Sequence, residues 1–243
     1  MPTGLRWNEF RLLTFDCYGT LVDWEAGILN VLTPWAVANQ VGAGPEELLA
    51  AFAAAESTVQ RERPQAVYRD ILRETMQRVA ASFGHAAGAK EREMLANSVG
   101  DWPVFADTAE ALRALKNWYK LMVVSNVDRE SFSGTEPKLG VALDGFVCAE
   151  QVGAYKPDRK MFDRALSVAR DWGIAPRQIL HVAQSSYHDI APAKELGLRT
   201  VWVDRRSGRP GGATPKAGGN IAPDLRVVSL CELVELRQSE RRR

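Results

Sequence analysis

The chain has 243 residues, of which 46% are hydrophobic and 25% charged, a composition that fits a soluble globular protein with a sizeable core. Its formal net charge is +1, so no global field favours nucleic acid or an anionic membrane, and no run is long and apolar enough to span a bilayer. Cys17, Cys148 and Cys231 form no metal-type pair; with no export signal at the N-terminus, this predicts a reducing, cytoplasmic setting.

Leu12 to Phe15 is a near-continuous apolar run, which predicts a central parallel strand buried on both faces. Asp16 ends it, Gly19 permits a tight backbone, and Thr20 can turn its hydroxyl toward the carboxylate. The sequence is then helical for nearly 80 residues. Trp24 to Asn39 has helical apolar spacing, although Pro34 is expected to kink or divide it. Pro45 opens a second helix with Glu46 and Glu47 in its first turn. A third, around Val67 to Phe83, carries Tyr68, Ile71, Leu72, Met76 and Val79 as a core stripe, and a weaker one covers Lys90 to Val99.

Strand and helix alternation then resumes, implying right-handed crossovers in a parallel sheet. A helix begins at Asp107 or Thr108. Strands follow at Leu121 to Val124, Phe146 to Cys148, Ile179 to Val182, Leu198 to Asp204 and Leu225 to Val228, with Asp158 capping the helix before Gly173. Ser207 to Asn220, rich in Gly and Pro, reads as a mobile loop, and Arg237 to Arg243 as a solvated tail.

Three of these strands end in polar groups with no packing use: Asp16, then Ser125-Asn126, then Gln184 through Asp189. If the strands are neighbours, the ends converge, and Lys156 supplies the cation that two carboxylates require. An opposite charge within about 4 to 6 Å favours the ionised carboxylate, so Lys156 would keep Asp16 nucleophilic.

Together these segments resemble the haloacid dehalogenase superfamily: Asp16-Cys17-Tyr18-Gly19-Thr20 is similar to its first motif, Ser125-Asn126 to its second, Lys156 to its third and Asp189 to its fourth. The resemblance implies an α/β fold, with a Rossmann-like parallel core of residues 1–22 and 102–243, and a helical cap inserted at 23–101. It also implies a covalent aspartyl intermediate. Phosphatases of the superfamily carry a second Asp two residues after the nucleophile, where it protonates the departing alkoxide. Tyr18 stands there instead. A halide needs no proton to leave, and the Asp-x-Tyr-Gly-Thr-Leu and Tyr155-Lys156-Pro157-Asp158 patterns resemble the L-2-haloacid dehalogenase branch.

That resemblance implies a small 2-haloalkanoic acid as substrate, no metal cofactor, and a homodimer as the family's habit. Asp16 would attack carbon, with Thr20 and Ser125 orienting it and binding the substrate carboxylate. Asn126 would contact halide, and Asp189 would serve the hydrolytic step. Cys17, Tyr18, Gly19, Gln184 and Ser186 would complete the substrate pocket, Cys17 with its thiol turned away as a structural group. Two departures stand out. Phe52-Ala53-Ala54-Ala55-Glu56 puts alanine where the branch carries a cap arginine, with Arg61, Arg63 and Arg69 further along. Gln184 and Ser186 replace the outer Ser and Asn of the fourth motif. His188, beside Asp189, is a candidate base for the hydrolytic water, or else a packing or capping residue; His181 and His85 are assigned no role. A magnesium-dependent phosphatase and a catalytically idle binding protein remain the alternatives.

Overall fold

The structure, a computed structural model, describes residues 4–209, 211–214 and 222–240. The apolar runs form strands β1 (Leu12–Phe15), β2 (Lys120–Ser125), β3 (Gly145–Cys148), β4 (Ile179–Ala183), β5 (Arg199–Val203) and β6 (Leu225–Val227). Among the described residues they make one six-stranded sheet in the order β3-β2-β1-β4-β5-β6, every pair parallel. All four residues of β1 are buried, as its unbroken apolar run requires. The chain leaves β1 toward β2 on one side and returns to β4 on the other, so a crevice opens at the carboxyl ends of these three strands. The convergence expected from sequence follows from this order.

The insertion between β1 and the next helix of the sheet is helical. It comprises α1 (Trp24–Ala38), α2 (Pro45–Glu62), α3 (Tyr68–Ser82) and α4 (Ala89–Ala96), followed by a 3-10 turn, Val99–Asp101. Asp23 caps α1 by accepting from the Ala26 amide at 3.1 Å. The helix runs undivided through Pro34, so of the expected kink or division the division does not occur; Trp35 and Ala36, just beyond it, are buried. At α2, Glu47 reaches back to the Gly44 amide at 2.8 Å. The α3 stripe is buried as its spacing predicts.

The remaining helices flank the sheet: α5 (Thr108–Lys116), α6 (Arg129–Thr135), α7 (Ala149–Val152), α8 (Arg159–Asp171), α9 (Ala191–Glu195) and α10 (Leu230–Glu240). Asp158 caps α8 through the Lys160 amide at 2.9 Å. The expected solvated tail is corrected at Arg237, which is buried in α10, bonds Asn8 at 3.1 Å and lies over the rings of Trp118 and Tyr119. Residues 241–243 lie outside the described residues.

The insertion is tied to the sheet at several places. Its two chain crossings pair where the Asp23 amide donates to Pro103 at 2.8 Å, and the Trp102 indole fills the space above Gly27, where a Cβ would overlap it. Across the crevice, Tyr155 donates to the Ala66 carbonyl at 2.6 Å, and Asp128 accepts from the Arg69 amide at 3.2 Å. The segment after β5 contributes too. Arg206 bonds Glu25 at 2.5 Å and Glu46 at 2.7 Å, while the Gly212 and Ala213 amides bond the same two carboxylates. Within the expected mobile loop, Gly212 and Ala213 are thus bonded to the insertion and Ala213 is buried, while 207–209 are exposed; 210 and 215–220 lie outside the described residues.

Candidate active site

At the end of β1, Asp16 is held by both carboxylate oxygens. Oδ1 accepts from Lys156 Nζ at 2.8 Å, and Oδ2 accepts from the Thr20 hydroxyl at 2.6 Å. The Thr20 oxygen in turn accepts from the Gln184 amide at 2.9 Å, so the start of the loop after β4 fixes the group that fixes Asp16. This local geometry needs Gly19. Its φ is +96°, and a Cβ there would lie 3.1 Å from the Trp24 indole nitrogen and 3.2 Å from Gln184 Oε1.

Lys156 is 2% exposed. Its ammonium donates to Asp16 Oδ1, to Asp189 Oδ1 at 2.8 Å and to the Val124 carbonyl at 2.9 Å, which uses all three hydrogens. Burial disfavours its charge, but the two carboxylates outweigh burial and raise its pKa. At Asp16, burial and the Asp189 charge push the pKa up against Lys156 and Thr20, leaving a carboxylate more basic than usual. At Asp189, burial is outweighed by Lys156 and His181, and the pKa is lowered.

His181 is a residue to which sequence reasoning gave no role. It is fully buried in β4, 3.1 Å from Asp189 Oδ1 through Nε2 and 2.9 Å from Thr14 Oγ1 through Nδ1. A carboxylate only accepts, so Nε2 carries the proton, and in the neutral ring the Thr14 hydroxyl donates to Nδ1. The available signal was strand alternation: Thr14 shares a face with Asp16, and the register pairs Thr14 with His181.

A single π-helical turn, Ser186–Ile190, delivers both Asp189 and His188. Ser185 caps it by accepting from the His188 amide at 2.9 Å, and its hydroxyl lies 3.2 Å from His188 Nδ1. Burial drives His188 down to about 4, against the pull of Asp189, so the ring is neutral near pH 7.

Asp16, Tyr18, Ser125, Asn126, Lys156, Gln184, His188 and Asp189 line one inner cavity of about 40 Å³, along with Trp24, Glu56, Gln60 and Tyr68 from the helical insertion. Thr20 reaches it only through Asp16, and Cys17, Gly19 and Ser186 are outside its wall. Cys17 is fully buried, as expected of a structural thiol. Gln60, Lys156 and His188 also border an outer cavity of about 430 Å³, where Arg61 lies. Ala53 lines neither cavity, Arg63 is exposed, and Arg69 is paired with Glu130. No arginine among the described residues enters the inner wall.

Several groups here have work left to do. Ser125 Oγ and Asp189 Oδ2 are buried without a hydrogen-bond partner, and the Cys17 and Tyr18 amides, adjoining Asp16, have none among the described residues. Asn126 is largely committed: Oδ1 accepts from the Lys156 amide at 2.6 Å and Nδ2 donates to its carbonyl at 3.1 Å, which leaves one Nδ2 hydrogen. Tyr18 lies 2.9 Å, oxygen to oxygen, from Thr135 and packs edge-on against Trp102; burial raises its pKa, against the Thr135 hydrogen bond. An oriented carboxylate beside unused donors suits nucleophilic attack on an anionic substrate.

Residues 10–197 match the haloacid dehalogenase-like hydrolase family. The chain belongs to that family. It is 25% identical over 212 residues to (S)-2-haloacid dehalogenase 4A of Burkholderia cepacia, covering 84% of this chain and 87% of that protein. A shorter stretch of 83 residues is 36% identical to phosphoserine phosphatase of Thermus thermophilus, covering 34% of this chain and 29% of that one. The fold is similar to L-2-haloacid dehalogenase of Xanthobacter autotrophicus with chloropropionic acid covalently bound, with a TM-score of 0.76, 17% identity and coverage of 94% and 98% of the two chains. This family member is thus a hydrolase with haloacid dehalogenases among its relatives.

The cavity roof holds a titratable group that sequence reading did not single out. Glu56 is 6% exposed, and burial raises its pKa from 4.5 to about 7, against a hydrogen bond from Tyr68. The native state therefore binds this proton more tightly than the unfolded state, and stability falls as pH rises from about 4.5 to about 7. The gap corresponds to about 3 kcal/mol. Glutamine carries no such proton. Urea unfolding of Glu56→Gln should shift relative to the parent by about 2–3 kcal/mol in the variant's favour between pH 5 and pH 8. A difference independent of pH would show that Glu56 titrates as an ordinary carboxylate.

Proposed function

We propose that the protein hydrolyses the carbon–halogen bond of a short 2-haloalkanoic acid through a covalent ester on Asp16, with the helical insertion acting as a cap over the substrate. The observation that carries this reading is Tyr18. It occupies the position from which an acid would protonate an alkoxide, yet its hydroxyl is engaged with Thr135 and its pKa is raised. A halide leaves without that proton.

In the first step Asp16 forms a carbon–oxygen bond as the carbon–halogen bond breaks, and the halide departs with the electron pair. In the second, water attacks the ester carbonyl, the 2-hydroxy acid leaves, and Asp16 returns as carboxylate with release of one proton. Ser125 and the free Cys17 and Tyr18 amides receive the substrate carboxylate. The remaining Asn126 hydrogen faces the halide. Asp189 Oδ2 and neutral His188 orient the water, and His181 positions Asp189. A magnesium ion fits poorly. Lys156 already bridges the two aspartates, Tyr18 replaces the third acid, and no group of three or more potential ligands is found among the described residues.

The ester makes its own isotopic prediction. With enzyme in excess over 2-chloropropanoate in ¹⁸O-water, the first product should carry unlabelled oxygen from Asp16, and the label should enter the Asp16 peptide by mass spectrometry. Label appearing directly in that product would mean water attacks carbon. Halide release should survive a chelator; magnesium-dependent phosphate release from an aryl phosphate, without halide release, would instead support the phosphatase reading.

A further inference from the structure

The roof of the inner cavity is acidic and only half used. Glu56 reaches it from α2, and both bonds it receives fall on one oxygen: Oε1 accepts from the Tyr68 hydroxyl at 2.8 Å and from Gln60 Nε2 at 3.0 Å. Oε2 has no partner among the described residues. Asp16, Asp189 and Glu56 thus share one wall with a single cation, Lys156, whose three hydrogens go to Asp16, Asp189 and the Val124 carbonyl and none to Glu56.

We propose that Glu56 is a specificity-determining residue and that the site selects 2-haloalkanoic acids carrying a hydrogen-bond donor, a hydroxyl or amino group, on the carbon next to the one that bears the halogen. This rests on the carbon–halogen reading above. Two donors on Oε1 hold the carboxyl plane fixed, so in the ionised form, which prevails above about pH 7, Oε2 meets a substrate as an acceptor already oriented. The substrate carboxylate has its own donors on the sheet side, in Ser125 and the amides after Asp16, which leaves the roof to read the rest of the molecule. Oε2 is open to the cavity, so a ligand that displaces its water and seals it in without a donor is disfavoured, and an analogue lacking the group is rejected. Burial without a counter-charge, which raises Glu56 to about 7, marks the same deficit. The cavity of about 40 Å³ limits the donor to a short chain.

The probes are 2-chloropropanoate and 2-chloro-3-hydroxypropanoate, which differ by one hydroxyl. At pH 8, where Glu56 is ionised, the parent should favour the hydroxylated acid by about tenfold or more in kcat/KM. Glu56→Leu, similar in volume, should erase the ratio, and Glu56→Gln, which keeps an acceptor oxygen, should retain part of it. Equal kcat/KM values in the parent, or a ratio unchanged in Glu56→Leu, would overturn the proposal. Calorimetry with the two products, 2-hydroxypropanoate and 2,3-dihydroxypropanoate, reads the same preference without turnover. Tighter binding of the diol acid, lost in Glu56→Leu, supports the role of Glu56 even if neither chloroacid releases halide, a result that would overturn only the carbon–halogen reading. Equal binding, or binding of neither, overturns the role.

Discussion

Asp16→Asn is expected to lower kcat/KM for halide release by about 10⁴-fold or more, the scale seen when a covalent nucleophile is removed. The variant should still fold. The amide is nearly isosteric, its oxygen can accept from Lys156, and its nitrogen can face Thr20 Oγ1, which already accepts from Gln184. Lys156 keeps Asp189 and the Val124 carbonyl as partners, so no buried charge is orphaned. The loss should therefore appear in kcat, read with a halide electrode, while the thermal midpoint stays within a few degrees. Mass spectrometry of acid-quenched parent should show an adduct on the Asp16 peptide that the variant lacks. Halide release within tenfold of the parent would remove Asp16 from the mechanism.

The sheet was legible because each of its strands is a short apolar run ended by turn residues, and β1 needed no alternation because both its faces are covered. The polar ends of β1, β2 and β4 were legible as a group only on the assumption that the strands are neighbours, which the strand order bears out. Pro34 does not divide α1 because the local rule against proline in a helix is outweighed by the burial of Trp35 and Ala36 beyond it. Arg237 misled because a basic run at a terminus says nothing of the aromatic surface it can cover. The residues that long-range contact brings to the site were harder to see. Glu56 sat in plain view in a run read for its missing arginine, but its burial depends on Tyr68, twelve positions on, and on the crevice below. His181 was hidden in an apolar strand, where only its register with Thr14 places it on the face that carries Asp16.

The largest structural effect belongs to Lys156→Met. The ammonium is the shared counter-charge of two carboxylates, each with side-chain exposure of 9% or less. Removing one partner of such a buried group costs about 3–5 kcal/mol, because what remains is uncompensated charge. In a chain of this length that is about 10 °C or more in the thermal midpoint. The cost should depend on pH with a definite sign. Without Lys156, burial and mutual repulsion raise the native carboxyl pKa values above their unfolded ones, so the folded variant takes up a proton and loses stability as pH rises through the raised values. The difference from the parent should thus be small near pH 4 and full at pH 8, measured by urea unfolding at each pH. Turnover should fall by about 10³-fold or more at both ends, since a protonated Asp16 is no nucleophile and an ionised one has lost its orienting bond. Lys156→Arg should not rescue it: a planar fork cannot present three donors to Asp16, Asp189 and the Val124 carbonyl from one point. A midpoint loss equal at pH 4 and pH 8 would mean that the aspartates do not depend on Lys156 for their charge.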